Sequence, residues 1–472
     1  MSAPRSLFGK GSTISSADMM SRNEAQAFLE RVVKLSKADT IGAQLGGGYT
    51  GNIRFAANRI STSGGVSNSQ LVVQSGYGAK HAVVTTGDFS PEGIERAVRQ
   101  SEAIAKLVPD DPENMPQLAP QQYTDVNAYF GSTANLTPAE RAAAAHTAID
   151  AAKSAGDLAA AGFIVAGSAY NAIASNTGMY AYFPSTSANY QLTVRTNDGT
   201  GSGWAAADHP DWKQIDFRAV SDRAIEKARA SRKPVAVEPG RYTVILEPQA
   251  VGDLVQLLAF SLDARSADEG RSAFSKTGGG TKIGEKIVDA KVNIFSDPTD
   301  PQLLGQPWDG QGLPLNREVW IENGVLKQLA YSRFWARKKN AGKPSGDSGL
   351  VHPNNGGLGA VKMEGGSATT EQMIASTPRG ILVTRLWYLR QVDPRTVLYT
   401  GLTRDGTFLI ENGKITKAVK NLRFNESPLF MLNNLEMLGR AERVAGTEAG
   451  GNVVFPTLKV KDFNFTSLSD AV

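Results

Sequence analysis

The chain has no cysteine among its 472 residues. That single count excludes disulfides, thiolate–zinc sites, iron–sulfur clusters and a cysteine nucleophile. Histidine is almost as scarce: His81, His146, His209 and His352 are the only four, and no two stand close enough to share a turn of helix. A charge of one sign is missing too. The 50 Lys+Arg and 46 Asp+Glu residues leave a net charge of only +4. With no basic block of about five to eight residues, nucleic acid is not an expected partner. No apolar run reaches the roughly 18 residues a membrane span requires, so no membrane association is expected. Met1 to Lys10 carry no apolar signal-peptide core, and the expected location is cytoplasmic.

Glycine, by contrast, is abundant, at 48 residues, and suits a structure rich in hairpins and tight turns. A hydrophobic share of 41% with 20% charged residues describes a folded globular chain. Its length exceeds one ordinary core and implies two or three domains. Two stretches nearly repeat each other: Val319–Lys327 and Phe408–Ile415 each place Ile-Glu-Asn-Gly between apolar flanks. Asn-Gly between β-rich runs predicts a two-residue type I′ hairpin, whose central residues both need positive φ. The C-terminal half is therefore read as sheet-rich.

Residues 1–17 are Ser/Gly-rich and read as a flexible leader. An amphipathic helix is expected from Asp18 to about Lys37, then β-like runs at Thr40–Leu45, Asn52–Ala56, Gln70–Gln74 and His81–Thr85 between glycine-rich turns. Ser90-Pro91 opens a helix to about Leu107. Residues 108–122, with four prolines, read as a linker-like loop. Thr137-Pro138-Ala139-Glu140 is a capping box for a helix to about Ser154. Strands follow at Gly162–Ala174 and Met179–Thr196, then a helix near Asp216–Ala230. The fold class is α+β: an N-terminal α+β domain over 18–232, and a β-rich, barrel- or sandwich-like C-terminal domain over 233–472. The latter begins with an apolar stretch that opens at Lys233-Pro234 and ends in Tyr242–Pro248, followed by one helix from Gln249 to about Arg265, with Val251, Leu254, Val255, Leu258 and Leu262 on one face.

Several blocks together resemble the TldD/PmbA family of microcin-processing and gyrase-modulator proteins, grouped with the zinc metallopeptidases. They are Asn52–Ile60, the helix at 249–265 with Arg271-Ser272-Ala273-Phe274 after it, Gly380–Trp387, both Ile-Glu-Asn-Gly hairpins, and the tail Phe455–Phe463. They occur in family order from about residue 25 to the end. The resemblance implies an N-terminal α+β domain, a β-rich C-terminal domain, and dimers enclosing a substrate cavity. It also implies that catalytic members carry H-E-x-x-x-H on a helix, with a cysteine near the C-terminus completing a zinc site and the glutamate as general base. Aligned on the Arg-Ser-Ala-Phe block, Val255 and Phe260 stand where the histidines would be and Gln256 where the base would be. A valine and a phenylalanine offer no lone pair, and an amide takes up no proton at neutral pH. The segment Gly446–Phe455 has no cysteine. The chain thus resembles the PmbA (TldE) side of the family, with no metal or catalytic residue of its own and zinc expected in a partner subunit.

Other candidates carry less. Asp263, Asp268 and Glu269 could be drawn as a carboxylate site but read as a solvated helix end and loop. Arg333–Lys339, basic with interleaved aromatics, reads as a surface helix end with its aromatics packed inward. Gly346-Asp347-Ser348-Gly349 with His352 lacks a nucleophile elbow and reads as a long mobile loop at a cavity mouth. Gly46-Gly47-Gly48 and Gly278-Gly279-Gly280 lack the P-loop Lys-Ser/Thr and read as plain loops. The leading expectation is a zinc-free subunit that completes the peptide cavity of a TldD-like zinc peptidase in proteolysis of unfolded or extended peptides. One alternative is a self-sufficient homodimeric metallopeptidase with a non-standard metal site. Another is a non-catalytic regulator binding gyrase or a toxin peptide.

Overall fold

The computed structural model describes residues 19–445 and 452–469. The expected leader, 1–17, and most of the cysteine-free stretch 446–455 lie outside the described residues. The first half runs α1 (Arg22–Leu35), β1 (Thr40–Ala56), β2 (Arg59–Tyr77), β3 (Lys80–Thr86), α2 (Pro91–Leu107), α3 (Gly131–Ala134), α4 (Pro138–Ser154), β4 (Leu158–Ser175), β5 (Tyr180–Thr196), β6 (Ser202–His209) and α5 (Phe217–Ala230). Helix starts follow local chemistry. Ser21 with Glu24 and Thr137 with Glu140 form reciprocal capping boxes, and Ser90 caps a helix whose first residue is Pro91.

These strands form one antiparallel sheet in the order β3-β2-β1-β4-β5-β6. Period-two alternation in β1 sends Ile41, Ala43 and Leu45 under α1 and α2, and Ile53 and Phe55 under α4 and α5. The four long helices α1, α2, α4 and α5 therefore cover one face of the sheet. Two expectations are corrected here. The runs Thr40–Leu45 and Asn52–Ala56 are one 17-residue strand, and Gly46-Gly47-Gly48 lies inside it rather than in a loop. A Cβ on Gly47 would sit 2.7 Å from the Tyr170 hydroxyl, and one on Gly48 only 2.2 Å from the Ser168 carbonyl oxygen. These glycines admit neighbours from β4; they do not turn the chain. The strand β6 was not anticipated at all.

The second half runs β7 (Gly240–Leu246), α6 (Pro248–Phe260), α7 (Ala264–Asp268), β8 (Ile294–Ser296), β9 (Glu318–Glu322), β10 (Val325–Leu326), α8 (Arg333–Asn340), β11 (Ala360–Met363), α9 (Thr370–Ala375), β12 (Arg379–Asp393), β13 (Leu398–Glu411), β14 (Lys414–Ala418), β15 (Leu422–Glu426), α10 (Pro428–Asn433), β16 (Leu435–Arg443) and β17 (Asn452–Leu468). The helix expected over 249–265 is thus two, broken at Ser261–Asp263. Five strands, β7, β12, β13, β15 and β17, close into a ring because β7 pairs with both β12 and β17. Closure removes the exposed edges an open sheet would carry. Both Asn-Gly turns have the expected geometry: Asn323 and Gly324 at φ 49° and 76°, Asn412 and Gly413 at φ 51° and 75°. They join β9 to β10 and β13 to β14.

The halves are locked together. Ile173, Ala181 and Phe183, on the sheet face away from the helices, pack with Trp308. The proline-rich loop 108–122 is a strap, not a free linker: Arg265 donates to Glu113 at 2.8 Å and Arg333 to the Pro116 carbonyl at 2.6 Å. Just beyond it, Tyr123 donates to the Gly312 carbonyl at 2.7 Å. Asp405 accepts from Ser202 Oγ at 2.6 Å while paired with Arg385.

Candidate functional site

The family resemblance directs attention to α6. Pro248 stands in its first turn, where the missing N–H costs nothing. Ala250, Val251, Leu254, Val255, Leu258 and Ala259 are all enclosed, and the helix packs with β7, β12 and β17 in one apolar core. A helix apolar nearly all round is one built for burial. Three polar side chains are enclosed with it: Gln249, Asp253 and Gln256. Asp253 accepts from Gln249 Nε2 at 3.4 Å and from the Leu386 backbone N–H at 3.3 Å, between two irregularities of β12. Val255 and Gln256 are fully buried, whereas Phe260, at the last turn, is 46% exposed. The face bearing Val255, Leu258 and Leu262 is core, as its spacing predicted.

The other sequence candidates are dispersed. Asp263 caps α7 by accepting from the Ser266 N–H at 2.7 Å. Asp268 is not solvated: it accepts from Trp335 Nε1 at 2.7 Å and from Lys339 Nζ at 2.9 Å. Glu269 is held first by Arg271 and then by Arg265, whose guanidinium groups keep its carboxyl below the usual range. The adjacent acids therefore point to separate cations. The basic run forms α8, with Trp335 buried and Arg337, Lys338 and Lys339 in its last turn, where the helix dipole favours cations. Asp347 accepts from the Gly349 N–H, and His352 pairs with Glu318 at 2.9 Å rather than with Asp347 or Ser348. No Ser/His/Asp constellation is assembled there.

The remaining histidines are equally apart. His81 lies 3.8 Å from Asp111, and His146 lies 3.9 Å from Asp150. His209 Nδ1 accepts from the Asp211 N–H at 2.9 Å, and burial followed by the nearby Arg443 cation pushes its pKa down. Among the described residues, no three His, Cys, Asp or Glu side chains stand together as a metal cluster. Two polar groups escaped sequence reasoning. Glu426, at the end of β15, is buried and its pKa is raised to about 7, by desolvation first, against hydrogen bonds from the Asn464 and Ser427 N–H groups. The other is the cluster of Glu318, His352 and Asn354. Neither had a sequence signal, because each draws on segments far apart in the chain.

Comparison with known proteins assigns this architecture. Residues 132–232 match the model described as the PmbA/TldA metallopeptidase central domain, and 239–467 the PmbA/TldA metallopeptidase C-terminal domain. A metalloprotease of Methanothermobacter thermautotrophicus is 26% identical over 261 residues, 53% of this chain and 52% of that protein. The metalloprotease PmbA of Escherichia coli O157:H7 is 23% identical over 260 residues, 53% and 51% of the two chains. In sequence the chain thus spans about half the length of these relatives. In structure it is similar to TldE from Thermococcus kodakarensis, with a TM-score of 0.80 at 18% identity over 94% of this chain and 99% of that one. A putative modulator of a DNA gyrase from Thermotoga maritima gives 0.78 at 16% identity, covering 93% and 100%. With both domain models matched in order and the two-sheet architecture shared, the chain belongs to the PmbA/TldD metallopeptidase family.

Proposed function

We propose that this chain is the zinc-free subunit of a proteolytic heterodimer, completing the cavity in which a TldD-like zinc-bearing partner cleaves unfolded or extended peptides. The observation that carries the reading is the chemistry of α6. At the positions aligned with the family's zinc helix, the donors are an aliphatic side chain, an amide and a partly exposed phenyl ring: Val255, Gln256 and Phe260. The absence of cysteine from the whole sequence removes the thiolate ligand as well. This donor set does not fit zinc, whose protein sites are built from thiolate, imidazole and carboxylate. Amide hydrolysis at neutral pH requires an activated water and stabilisation of developing charge. The residues of α6 supply neither, so both come from the partner. What the chain contributes is shape and, through strand edges outside the closed ring, main-chain hydrogen bonding that accepts an extended peptide with little sequence selection.

The test is reconstitution. After dialysis the purified chain should hold far less than one zinc per chain by metal analysis, and should not cleave a casein-derived peptide alone. Cleavage should appear on mixing with an H-E-x-x-x-H paralogue and should survive Gln256→Ala in this chain. One zinc per chain, or chelator-resistant cleavage by this chain alone, defeats the assignment.

A further inference from the structure

Away from α6, the loops before β9 and after α8 form a cavity of about 230 Å³ lined by Leu313, Pro314, Leu315, Glu318, His352 and Asn354 among others. Leu315 also borders a second, neighbouring cleft of about 320 Å³ that runs past Gly305, Gly310 and Gly359. A Cβ on Gly310 or Gly359 would meet nothing within 4 Å, so the backbone itself faces open space there. The two hollows share Leu315 and Asn316 and so adjoin on one surface.

The carboxylates along it are not equivalent. Asp297 accepts from the Thr299 N–H at 2.9 Å, and Asp309 accepts from the N–H groups of Gln311 and Leu313 at 2.8 and 2.9 Å. Those two shape their own loops. Glu318 caps nothing. It is only 9% exposed, yet its one close hydrogen bond is to His352 Nε2 at 2.9 Å, with Asn354 Nδ2 at the margin, 3.5 Å away. Asn354 is itself committed, donating to Gln328 at 3.0 Å and accepting from the Tyr331 N–H at 2.8 Å. A carboxylate so deeply enclosed is costly without a cation beside it. No Lys or Arg ion pair to Glu318 occurs among the described residues; the one basic group beside it there is the His352 ring, a cation only when protonated. The cavity therefore offers an anionic end and an aliphatic wall of Leu313, Pro314 and Leu315.

We propose that this cavity is a subsite for a basic side chain, lysine or arginine, of an extended peptide. The methylenes lie along the leucine and proline wall and the cationic head pairs with Glu318, as long basic side chains do when their stem is buried and their head satisfied. The proposal rests on the reading that this chain receives extended peptides, and it adds which side chain is read. His352 is a positioning residue: its ring holds Glu318 in place without consuming both carboxylate oxygens.

With only four histidines, the ring protons of His352 can be followed by NMR once His352→Gln has identified their signal. Nα-acetyl-lysine methylamide or its arginine analogue should shift that signal in a saturable way. The Nε-acetyl-lysine analogue should bind at least tenfold more weakly, and so should alanine methylamide with its free amino group. Glu318→Gln, which keeps the shape and removes the charge, should abolish the preference. Equal binding of the lysine and Nε-acetyl-lysine probes to the wild-type chain overturns the proposal without recourse to any variant. So does a preference that persists in Glu318→Gln, and equal binding of the alanine probe shows a site for chain termini instead. The readout needs no zinc-bearing partner, so failed reconstitution of cleavage and failure of this subsite are separate results.

Discussion

Leu258→Ala tests whether α6 is held in place as ordinary apolar core. Leu258 is fully enclosed between α6 and the closed ring of β7, β12, β13, β15 and β17. Truncating a buried leucine costs about 2–5 kcal/mol, more where the surroundings cannot collapse into the space. Here the strands are tied to one another around the ring, so collapse is restricted and the expected loss is about 3–4 kcal/mol. Because the two halves unfold together, each kcal/mol shifts the single transition by only about 1–2 °C, about half the shift for a unit of one half's size, and the fall should be roughly 5 °C. Phe260→Ala is the internal control. A fully buried phenylalanine would lose about 3–5 kcal/mol, but Phe260 is 46% exposed, and about 1–2 kcal/mol is expected. Calorimetry of both variants beside the parent gives the comparison. An unchanged transition in Leu258→Ala, or a larger drop in Phe260→Ala, refutes the view that α6 is held by packing.

Two further outcomes follow from buried charge. Glu426 has its pKa raised by burial from 4.5 to about 7, so the folded state keeps a proton that the unfolded state gives up; its contribution is full below 4.5 and is lost as pH rises through about 7. Denaturant titrations across that interval should show wild-type stability declining relative to Glu426→Gln, and parallel curves would contradict the assignment. Asp405→Ala removes a buried partner of Arg385 that also accepts from Ser202 of the other half. Stranding the guanidinium should cost about 3–5 kcal/mol. The same change should separate the unfolding of the two halves, seen as a second calorimetric peak; a single unshifted peak would show that the contact carries no coupling.

Much was legible in the sequence because it is written in neighbouring residues. The capping box at Thr137, the Ser90-Pro91 start and both Asn-Gly hairpins are local devices, and each stands where its few residues demand, whereas the first helix, expected from Asp18, begins only after its Ser21 cap. The α+β class and the buried face of α6 follow equally from short-range periodicity. What the sequence by itself could not determine depends on partners far along the chain. Gly46-Gly47-Gly48 looks like a turn until Tyr170 and Ser168 of β4 are placed against it. Asp268 and Glu269, neighbours in sequence, turn to opposite cations only because α8 lies beside one of them. The ring closes through β7 and β17, more than two hundred residues apart. Glu318 meets His352, and Glu426 meets Asn464, by the same kind of long-range pairing. Local rules fix φ, ψ and periodicity. Which side chains are deprived of water, and which charges are left facing a cavity, is decided only when distant segments pack.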